Sequence, residues 1–261
     1  MGGVEFDIAT HRARTGRVEI DDIDFSAFER DPLDAATRRC LRYMHDIEFH
    51  TICYLRDLLL TPAHRDPDVT AFLTFWCFEE YFHGEAIGEV LRAHGELSGA
   101  GRVDALRRSL PVRDRVRPLA HLAGSLLAGR DYTAVHMVWG AVNEWCTQAA
   151  YARLGQKAGH AELSRLLTRI TRQEGRHIDF YASEAAARLT TSRRARTLAR
   201  VTLQRFWRPV GTGVAAPEET AFVVHHLFGD AEGLAAARRI DRRIDRFPGL
   251  AGLAVCERAV A

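Results

Sequence analysis

The sequence has no acidic residue between Glu184 and Glu218, although its formal net charge is only +2. The arginines of this interval are Arg188, Arg193, Arg194, Arg196, Arg200, Arg205 and Arg208. A shorter basic run contains Arg107, Arg108, Arg113, Arg115 and Arg117, with Asp114 as its one acidic member. Either run is a solvated helix face or a docking surface for an acidic partner. No nucleic-acid-binding motif accompanies the arginines, so we expect no nucleic-acid partner.

Cysteine and long apolar runs are also scarce. The five cysteines are scattered without a CxxC, which argues against zinc and iron–sulfur motifs and favours reduced thiols in a cytosol. No segment approaches the about 18 consecutive apolar residues of a membrane span. The start of the chain, MGGVEFDIATHR, carries Glu5 and Asp7 where a signal peptide needs an apolar run. We therefore expect a cytoplasmic protein without a membrane span.

Strand-like alternation is absent from the sequence, and long stretches follow a 3.6-residue rhythm instead. This pattern predicts an all-α fold. We expect an N-terminal arm (1–30) packed through Phe25 and Phe28, a four-helix core (31–190) and a C-terminal helical extension of the same domain (191–261). Asp31-Pro32 and Asp66-Pro67 are expected to open helices, and residues 95–102 and 208–217 to form loops. The predicted helices are 32–60, 67–94, 114–128, 131–157, 160–190, 191–207, 217–228 and 231–246.

In each of the four longest predicted helices, apolar residues recur at alternating spacings of three and four and form a seam along one face. One position of each seam is a glutamate. These glutamates are Glu48, Glu80, Glu144 and Glu174. In the second and fourth helices a histidine follows three residues later, His83 and His177, on the same helix face. Packing the four seams together therefore predicts four carboxylates and two imidazoles at one level of a bundle core.

Carboxylates buried together repel one another and lose their hydration, so they need counter-charges. Two divalent cations would balance the four carboxylates, and the two imidazoles would add neutral ligands. One Glu from each of two helices plus Glu-x-x-His from each of two others is the carboxylate di-iron or di-manganese arrangement. A lone Glu-x-x-His is more often a surface pair, but here two occur in the order Glu, Glu-x-x-His, Glu, Glu-x-x-His. Glu79 lies one residue outside the seam and is not predicted as a ligand.

At these residues the sequence resembles a known family. FEEYFHGE is similar to the EE-x-x-HG element of soluble acyl-acyl-carrier-protein desaturases, and residues 144–177 resemble their third and fourth helices. The resemblance covers roughly residues 35–190. It departs at Gln173, where the plant members have an acidic residue, and in length, since those enzymes are longer. The resemblance implies a ferritin-like four-helix bundle with additional C-terminal helices, commonly a homodimer.

The resemblance also implies a chemistry: two irons, O2 and electrons from ferredoxin remove hydrogen from an acyl chain on acyl carrier protein. Glu48, Glu80, His83, Glu144, Glu174 and His177 would be the iron ligands, with manganese possible at one position. Thr147, one turn after Glu144, would help deliver protons, or would simply bond a carbonyl of its own helix. The alternatives are a di-iron oxygenase, either a hydroxylase or an N-oxygenase, acting on a specialised metabolite, and a ferritin-type iron-binding protein.

Overall fold

The computed structural model describes residues 6–110 and 112–260, without the side chains of residues 112–115. The described residues contain helices and turns but no β-strand. The all-α prediction is therefore confirmed. Two short 3-10 turns lie at Pro62–Arg65 and Gly129–Asp131. The α-helices are α1 Ile8–Arg14, α2 Ala27–Arg30, α3 Ala35–Leu59, α4 Pro67–Ala93, α5 Gly99–Ser109, α6 Val112–Ala128, α7 Tyr132–Ala158, α8 Ala161–Thr191, α9 Arg193–Phe206, α10 Pro217–Phe228, α11 Ala231–Ile244 and α12 Val255–Val260.

The four long helices form the bundle as two hairpins. Helix α3 packs along α4, and α7 packs along α8, while α4 contacts α8 and α3 contacts α7. Each hairpin has a short connection, and the segment carrying α5 and α6 makes the long crossing between them. Two helical hairpins joined by one long crossover is the connectivity of ferritin-like bundles. None of the described helices is long and apolar enough to span a membrane.

The ends of the long helices follow local chemistry. Asp66 caps α4 by accepting from the backbone N–H groups of Asp68 and Val69, and Pro67 occupies the first helical position, as predicted. Gly159 ends α7 with φ of 63°, a left-handed conformation that glycine adopts without steric cost. The predicted opener Asp31-Pro32 is wrong. Helix α3 begins three residues later because Asp34 caps it by accepting from the N–H of Thr37.

The prediction of a loop over residues 95–102 is partly wrong, because α5 begins at Gly99. Two glycines weaken the helical pattern here, and tertiary contacts override that weakness. The Gly99 N–H donates to Nε2 of the buried His45 at 3.1 Å. Arg102 forms a two-pronged ion pair with Asp46 of α3. These contacts attach α5 to the bundle, although its own residues have low helix propensity.

The N-terminal arm packs on the bundle through more residues than predicted. Phe28 is fully buried and stacks on His160 at 4.4 Å, and Phe25 is partly buried beside it. The arm also forms α1, which contacts α4 and buries His11. Residues 1–5 of the predicted arm lie outside the described residues.

Several arginines of the acid-free interval bond to other parts of the chain. Arg200 donates to the carbonyls of Gly249 and Ala251, and Arg196 donates to those of Leu189 and Thr190. Arg188 pairs with Asp66 at 2.6 Å. These arginines therefore stabilise contacts within the chain. A docking role for this surface stays a prediction. In the shorter basic run, the side chains of Arg113, Asp114 and Arg115 lie outside the described residues.

The bundle interior consists of two apolar layers with a polar level between them. One layer includes Leu58, Phe72 and Phe180, and the other includes Leu41, Ile87 and others from the opposite half of each helix. The four seam glutamates lie along their helices at the junction of these layers. The polar level is therefore enclosed by apolar side chains on both sides.

Candidate metal centre

All six predicted ligands are buried at this polar level. Their exposed fractions run from 0% for His83, Glu174 and His177 to 6% for Glu144. Their ligand atoms form two groups, and within each group the atoms lie within 4.8 Å of one another. The first group is Glu48, Glu80, His83 and Glu174, and the second is Glu80, Glu144, Glu174 and His177. The sequence therefore identified a cluster with two adjoining positions for cations.

Glu80 and Glu174 belong to both groups, and their oxygens point in two directions. Oε2 of Glu80 lies 3.4 Å from Nδ1 of His83, while its Oε1 lies 3.2 Å from Nδ1 of His177. Glu174 repeats this arrangement, with Oε1 3.3 Å from His83 and Oε2 3.1 Å from His177. Each shared carboxylate thus presents one oxygen to each position. Glu80 and Glu174 are therefore the two glutamates that the groups share.

The other two glutamates each serve one position and are held by aromatic donors. Trp76 donates its indole N–H to Oε1 of Glu144 at 2.9 Å. The hydroxyl of Tyr151 donates to Oε1 of Glu48. Each bond occupies one carboxylate oxygen and orients the other. Sequence reasoning missed both donors, because a Trp and a Tyr in an apolar seam are also ordinary core residues.

The two histidines point Nδ1 toward the glutamates and Nε2 away from them. Nε2 of His83 lies 2.8 Å from Oε1 of Gln173, and Nε2 of His177 lies 2.8 Å from Oε2 of Glu79. Each partner immediately precedes the glutamate of the opposite Glu-x-x-His motif. Glu79 is thus outside both ligand groups, as expected, but it orients a ligand, which the sequence reading did not foresee.

The electrostatics of the cluster call for added positive charge. Burial and the nearby Glu80 raise the pKa of Glu48 well above its ordinary value, and burial with Glu174 does the same for Glu144. Burial opposes a charged ring at His83, yet Glu174 and Glu80 raise its pKa to about 10. These shifts arise because the carboxylates crowd one another and attract any available proton. Divalent cations in the same place would relieve the repulsion without protons.

The donor set fits two such cations. Nδ1 of His83 and Oε1 of Glu174 are buried and form no hydrogen bond within the described part of the chain. Four carboxylates balance a total charge of +4, and each position has three carboxylates and one imidazole within reach. Mixed oxygen and imidazole ligands suit iron and manganese better than metals that prefer thiolates. The residues therefore fit a pair of divalent cations, whose identity the donor set does not fix.

A cavity of about 500 Å³ adjoins the cluster and includes Glu48, Glu80 and Glu144 in its lining. This volume is within the range of small-molecule sites. Thr147, the predicted proton-delivering residue, also lines the cavity, one helical turn after Glu144. The cavity also touches Phe206, whose side chain is 68% exposed, and therefore reaches the surface beside the 206–212 segment.

The cavity walls differ in polarity. Apolar side chains from α3, α7 and the C-terminal helices form one part: Met44, Ile47, Ala150, Val223, Phe228 and Ile240. A second part is polar and comes from α3, α6 and α7: His50, Tyr54, Arg117, His121 and Asn143. Arg117 pairs with the buried Asp57 and lies 3.2 Å from His50. Sequence reasoning missed this polar wall, since its members are far apart in the chain.

No family model, curated protein or solved structure matches this chain. Its candidate function therefore depends on the geometry of the cluster and the cavity.

Proposed function

We propose that the protein is an O2-dependent di-iron oxidase. One observation carries the proposal. Glu80 and Glu174 each direct one oxygen toward His83 and the other toward His177, while Glu48 and Glu144 each belong to one ligand group. When bound, the irons would supply O2 reduction and the oxidising power that breaks a C–H bond. Manganese at one position is compatible with the same donors.

Within the proposal, the chain's own side chains have separable tasks. Trp76 and Tyr151 keep Glu144 and Glu48 oriented, so that one oxygen of each faces the cation position. Thr147, which lines the cavity one helical turn after Glu144, passes protons inward. The two apolar layers exclude water, which strengthens every charge interaction at this level.

The substrate we propose is an acyl chain carried on acyl carrier protein. The apolar part of the cavity matches an alkyl chain, and its opening beside Phe206 allows the carrier to remain outside. Desaturation consumes O2, two electrons, two protons and the two removed hydrogens, and releases two waters. The sequence contains no CxxC or other iron–sulfur motif, so the electrons would come from a separate protein such as ferredoxin. A homodimer in the cytoplasm remains the expected form.

The polar cavity wall favours one alternative, a di-iron oxygenase acting on a more polar specialised metabolite. A plain alkyl chain would lie against His50, Arg117 and His121 without making hydrogen bonds to them. A substrate with a carboxylate, hydroxyl or amine would use these groups. This reaction, hydroxylation or N-oxygenation, consumes O2, two electrons and two protons, transfers one oxygen atom to the substrate and releases the other as water. A ferritin-type iron-binding protein is less well supported, because such a protein needs no organic-sized cavity beside its metals.

One experiment separates these functions. The full chain is loaded anaerobically with Fe(II) and mixed with ferredoxin, its reductase, NADPH and acyl-carrier-protein thioesters of several chain lengths. Oxygen is admitted, and the intact acyl mass is measured. Loss of two hydrogens supports the proposed desaturase, whereas gain of one oxygen supports the oxygenase. Iron uptake with unchanged acyl masses and growth of an iron-rich particle would favour the ferritin-type function.

Matched variants connect the result to the cluster. Glu80→Gln removes a shared carboxylate and should abolish both iron uptake and turnover. Glu85→Gln changes a glutamate on the same helix that belongs to neither ligand group, so it should retain both. Equal activity in the two variants would contradict the proposal.

A further inference from the structure

The N-terminal arm reaches the metal centre through the backbone of one residue, Gly16. The Gly16 N–H donates to Oε1 of Glu79 at 3.2 Å, and the Gly16 carbonyl accepts from Nε2 of Gln173 at 3.0 Å. These are the two residues whose other atoms contact the histidines of the cluster. The backbone N–H and carbonyl of a single residue of the arm therefore bond to the two side chains that orient the predicted histidine ligands.

The bond to Gln173 has a consequence for His83. A carbonyl oxygen can only accept, so Gln173 must turn its NH2 toward Gly16. Its Oε1 is then the atom that faces Nε2 of His83, at 2.8 Å. Since that oxygen also only accepts, Nε2 of His83 must carry the proton. When the ring is neutral, as a metal ligand must be, the lone pair of His83 is therefore on Nδ1, the atom that faces Glu80 and Glu174.

The second histidine is fixed by a charged group instead. Glu79 accepts from Nε2 of His177 at 2.8 Å and is itself held by Arg176 at 2.5 Å and by the Gly16 N–H. A carboxylate cannot donate, so the neutral ring of His177 also keeps its proton on Nε2 and its lone pair on Nδ1. No amide orientation is involved, and the arm is dispensable for this choice.

The two cation positions differ chiefly in these partners. Each position has both shared glutamates, one histidine and one further glutamate that accepts from a neutral aromatic donor. His177 faces a carboxylate, whereas His83 faces a neutral amide. A carboxylate behind a ligating histidine makes it the stronger donor.

We propose that the backbone of Gly16 is a positioning element of the metal centre, because it fixes the tautomer of His83 through Gln173. Since His177 faces a carboxylate, the position at His177 binds its cation more tightly than the position at His83. The arm is secured for this role on both sides of Gly16. His11 is buried beside Phe72 and His177, and Asp22 pairs with Arg165 and Arg169 of α8. The inference rests on the proposed metal pair but on no particular reaction.

The first test titrates the full, metal-free chain with Zn(II), a redox-silent probe, by calorimetry. We expect two binding steps separated by at least about tenfold in affinity, because loss of such a histidine partner costs about 10–100-fold. Gln173→Leu should weaken the weaker step by that factor and leave the tighter step unchanged. Glu79→Gln should weaken the tighter step and bring the two together. Two equal steps, or a Gln173→Leu variant that binds like wild type, would overturn the proposal.

A second test isolates the arm. Gly16→Pro removes the N–H bonded to Glu79, and Thr15 has the extended backbone, ψ 132°, that tolerates a following proline. Without its N–H bond to Glu79, residue 16 holds its carbonyl less firmly against Gln173, so the amide of Gln173 can reverse and the affinity of the weaker step should decrease. In a Gln173→Glu background the same change should have no effect on that step, because a carboxylate has no donor to reverse. Gly16→Ala is the matched control, since its added Cβ meets no atom within 4 Å. A loss of equal size in both backgrounds would refute the role assigned to Gln173.

The tautomer is also measurable directly. Nitrogen-15 histidine NMR of the Zn-loaded protein should show protonated Nε2 and ligated Nδ1 for both His83 and His177. A His83 protonated at Nδ1 would overturn the inference whatever the affinities are. If Zn(II) binds in two unequal steps but the iron-loaded protein oxidises no substrate, the proposed function fails and this inference stands. If Zn(II) does not bind, both fail.

Discussion

Trp76 and Glu144 are joined across the bundle by a bond from the indole N–H to Oε1 of 2.9 Å, with both side chains almost fully buried. The indole is thus part of the polar level as well as of the apolar layer next to it. Its N–H satisfies one oxygen of a carboxylate that has few other neighbours of opposite charge. The bond leaves the second oxygen of Glu144 directed toward His177, at 3.8 Å.

Replacing this indole by phenyl should weaken one cation position. Trp76→Phe leaves Oε1 of Glu144 without its donor, which costs about 1–3 kcal/mol when the group stays buried. We expect the affinity for the cation at the His177 position to fall about tenfold, measured by Zn(II) calorimetry. Trp145→Phe is the matched control, because Trp145 is equally buried but stacks on Phe247 away from the cluster. Equal losses in the two variants would show that packing, and not the bond, is responsible.

Shared and unshared glutamates should differ in metal stoichiometry. Glu174→Gln removes an oxygen ligand from both positions, so it should reduce the bound metal below one ion per chain. Glu48→Gln affects the His83 position alone and should leave about one ion bound. Elemental analysis after anaerobic Fe(II) loading and desalting measures the difference. Identical metal content in the two variants would contradict the assignment of Glu174 as shared.

The same Glu48 substitution should stabilise the metal-free protein. Burial and Glu80 raise the pKa of Glu48, so the ionised carboxylate opposes folding when no cation is present. A neutral amide removes that repulsion, as happens when strained functional sites are neutralised. We expect a Tm higher by a few degrees, since about 1 kcal/mol corresponds to about 2–4 °C in a chain of this size. A Tm below that of the wild type would mean that the Tyr151 bond outweighs the repulsion.

The sequence was sufficient to identify the six candidate ligands for a physical reason. A glutamate in an apolar seam violates the pattern of a soluble helix, and four such violations at one level specify a cluster. The sharing of Glu80 and Glu174 was beyond the sequence, because it depends on side-chain rotamers and on the offset of α4 against α8. The roles of Trp76 and Tyr151 were hidden for a related reason, as both residues also match an ordinary core.

Contacts between distant segments were the least predictable part. Gln173 was noted as a departure from an acidic pattern, but its bond to Gly16 crosses 157 positions of the chain. Helix α5 was missed because its glycines suggest a loop, and its partners His45 and Asp46 lie on another helix. Local propensity carries no information about such partners, whereas seam periodicity does carry information about helix faces.

Thr147 should affect turnover without affecting metal binding. It lines the cavity one helical turn after Glu144, and it belongs to neither ligand group. Thr147→Val keeps the shape of the side chain and removes the hydroxyl. The amount of product formed per O2 consumed should therefore fall, and the turnover rate should fall about 100-fold if proton delivery limits it. Thr147→Ser should restore most of the activity. Unchanged turnover in the valine variant, with normal iron content, would assign the hydroxyl to its own helix instead.

Acidification should release the N-terminal arm through Asp22. Its hydrogen bond to Arg169 lowers the pKa of the Asp22 carboxyl from the ordinary 3.8 to about 2. A carboxyl with a lowered folded-state pKa stabilises the docked arm above about pH 4, and this stabilisation is lost as the pH falls from about 4 to 2. Pepsin cleavage within residues 8–22 should therefore accelerate over this range more steeply than the enzyme's own pH dependence. Asp22→Asn should be cleaved faster at pH 4 and show a flatter profile.

Asp21 provides the comparison for that experiment, because it is the adjacent exposed aspartate and the ion pairs to Arg165 and Arg169 involve Asp22. Asp21→Asn should therefore follow the wild-type pH profile.

The Asp22 carboxylate is largely exposed, so added salt should screen its ion pairs and increase cleavage of the wild type at pH 4. If the arm also positions His83 through Gly16, Asp22→Asn should weaken the weaker Zn(II) step at neutral pH, while Asp21→Asn should leave it unchanged. Equal cleavage and equal Zn(II) binding in the two variants would mean that the arm is held by its buried residues alone.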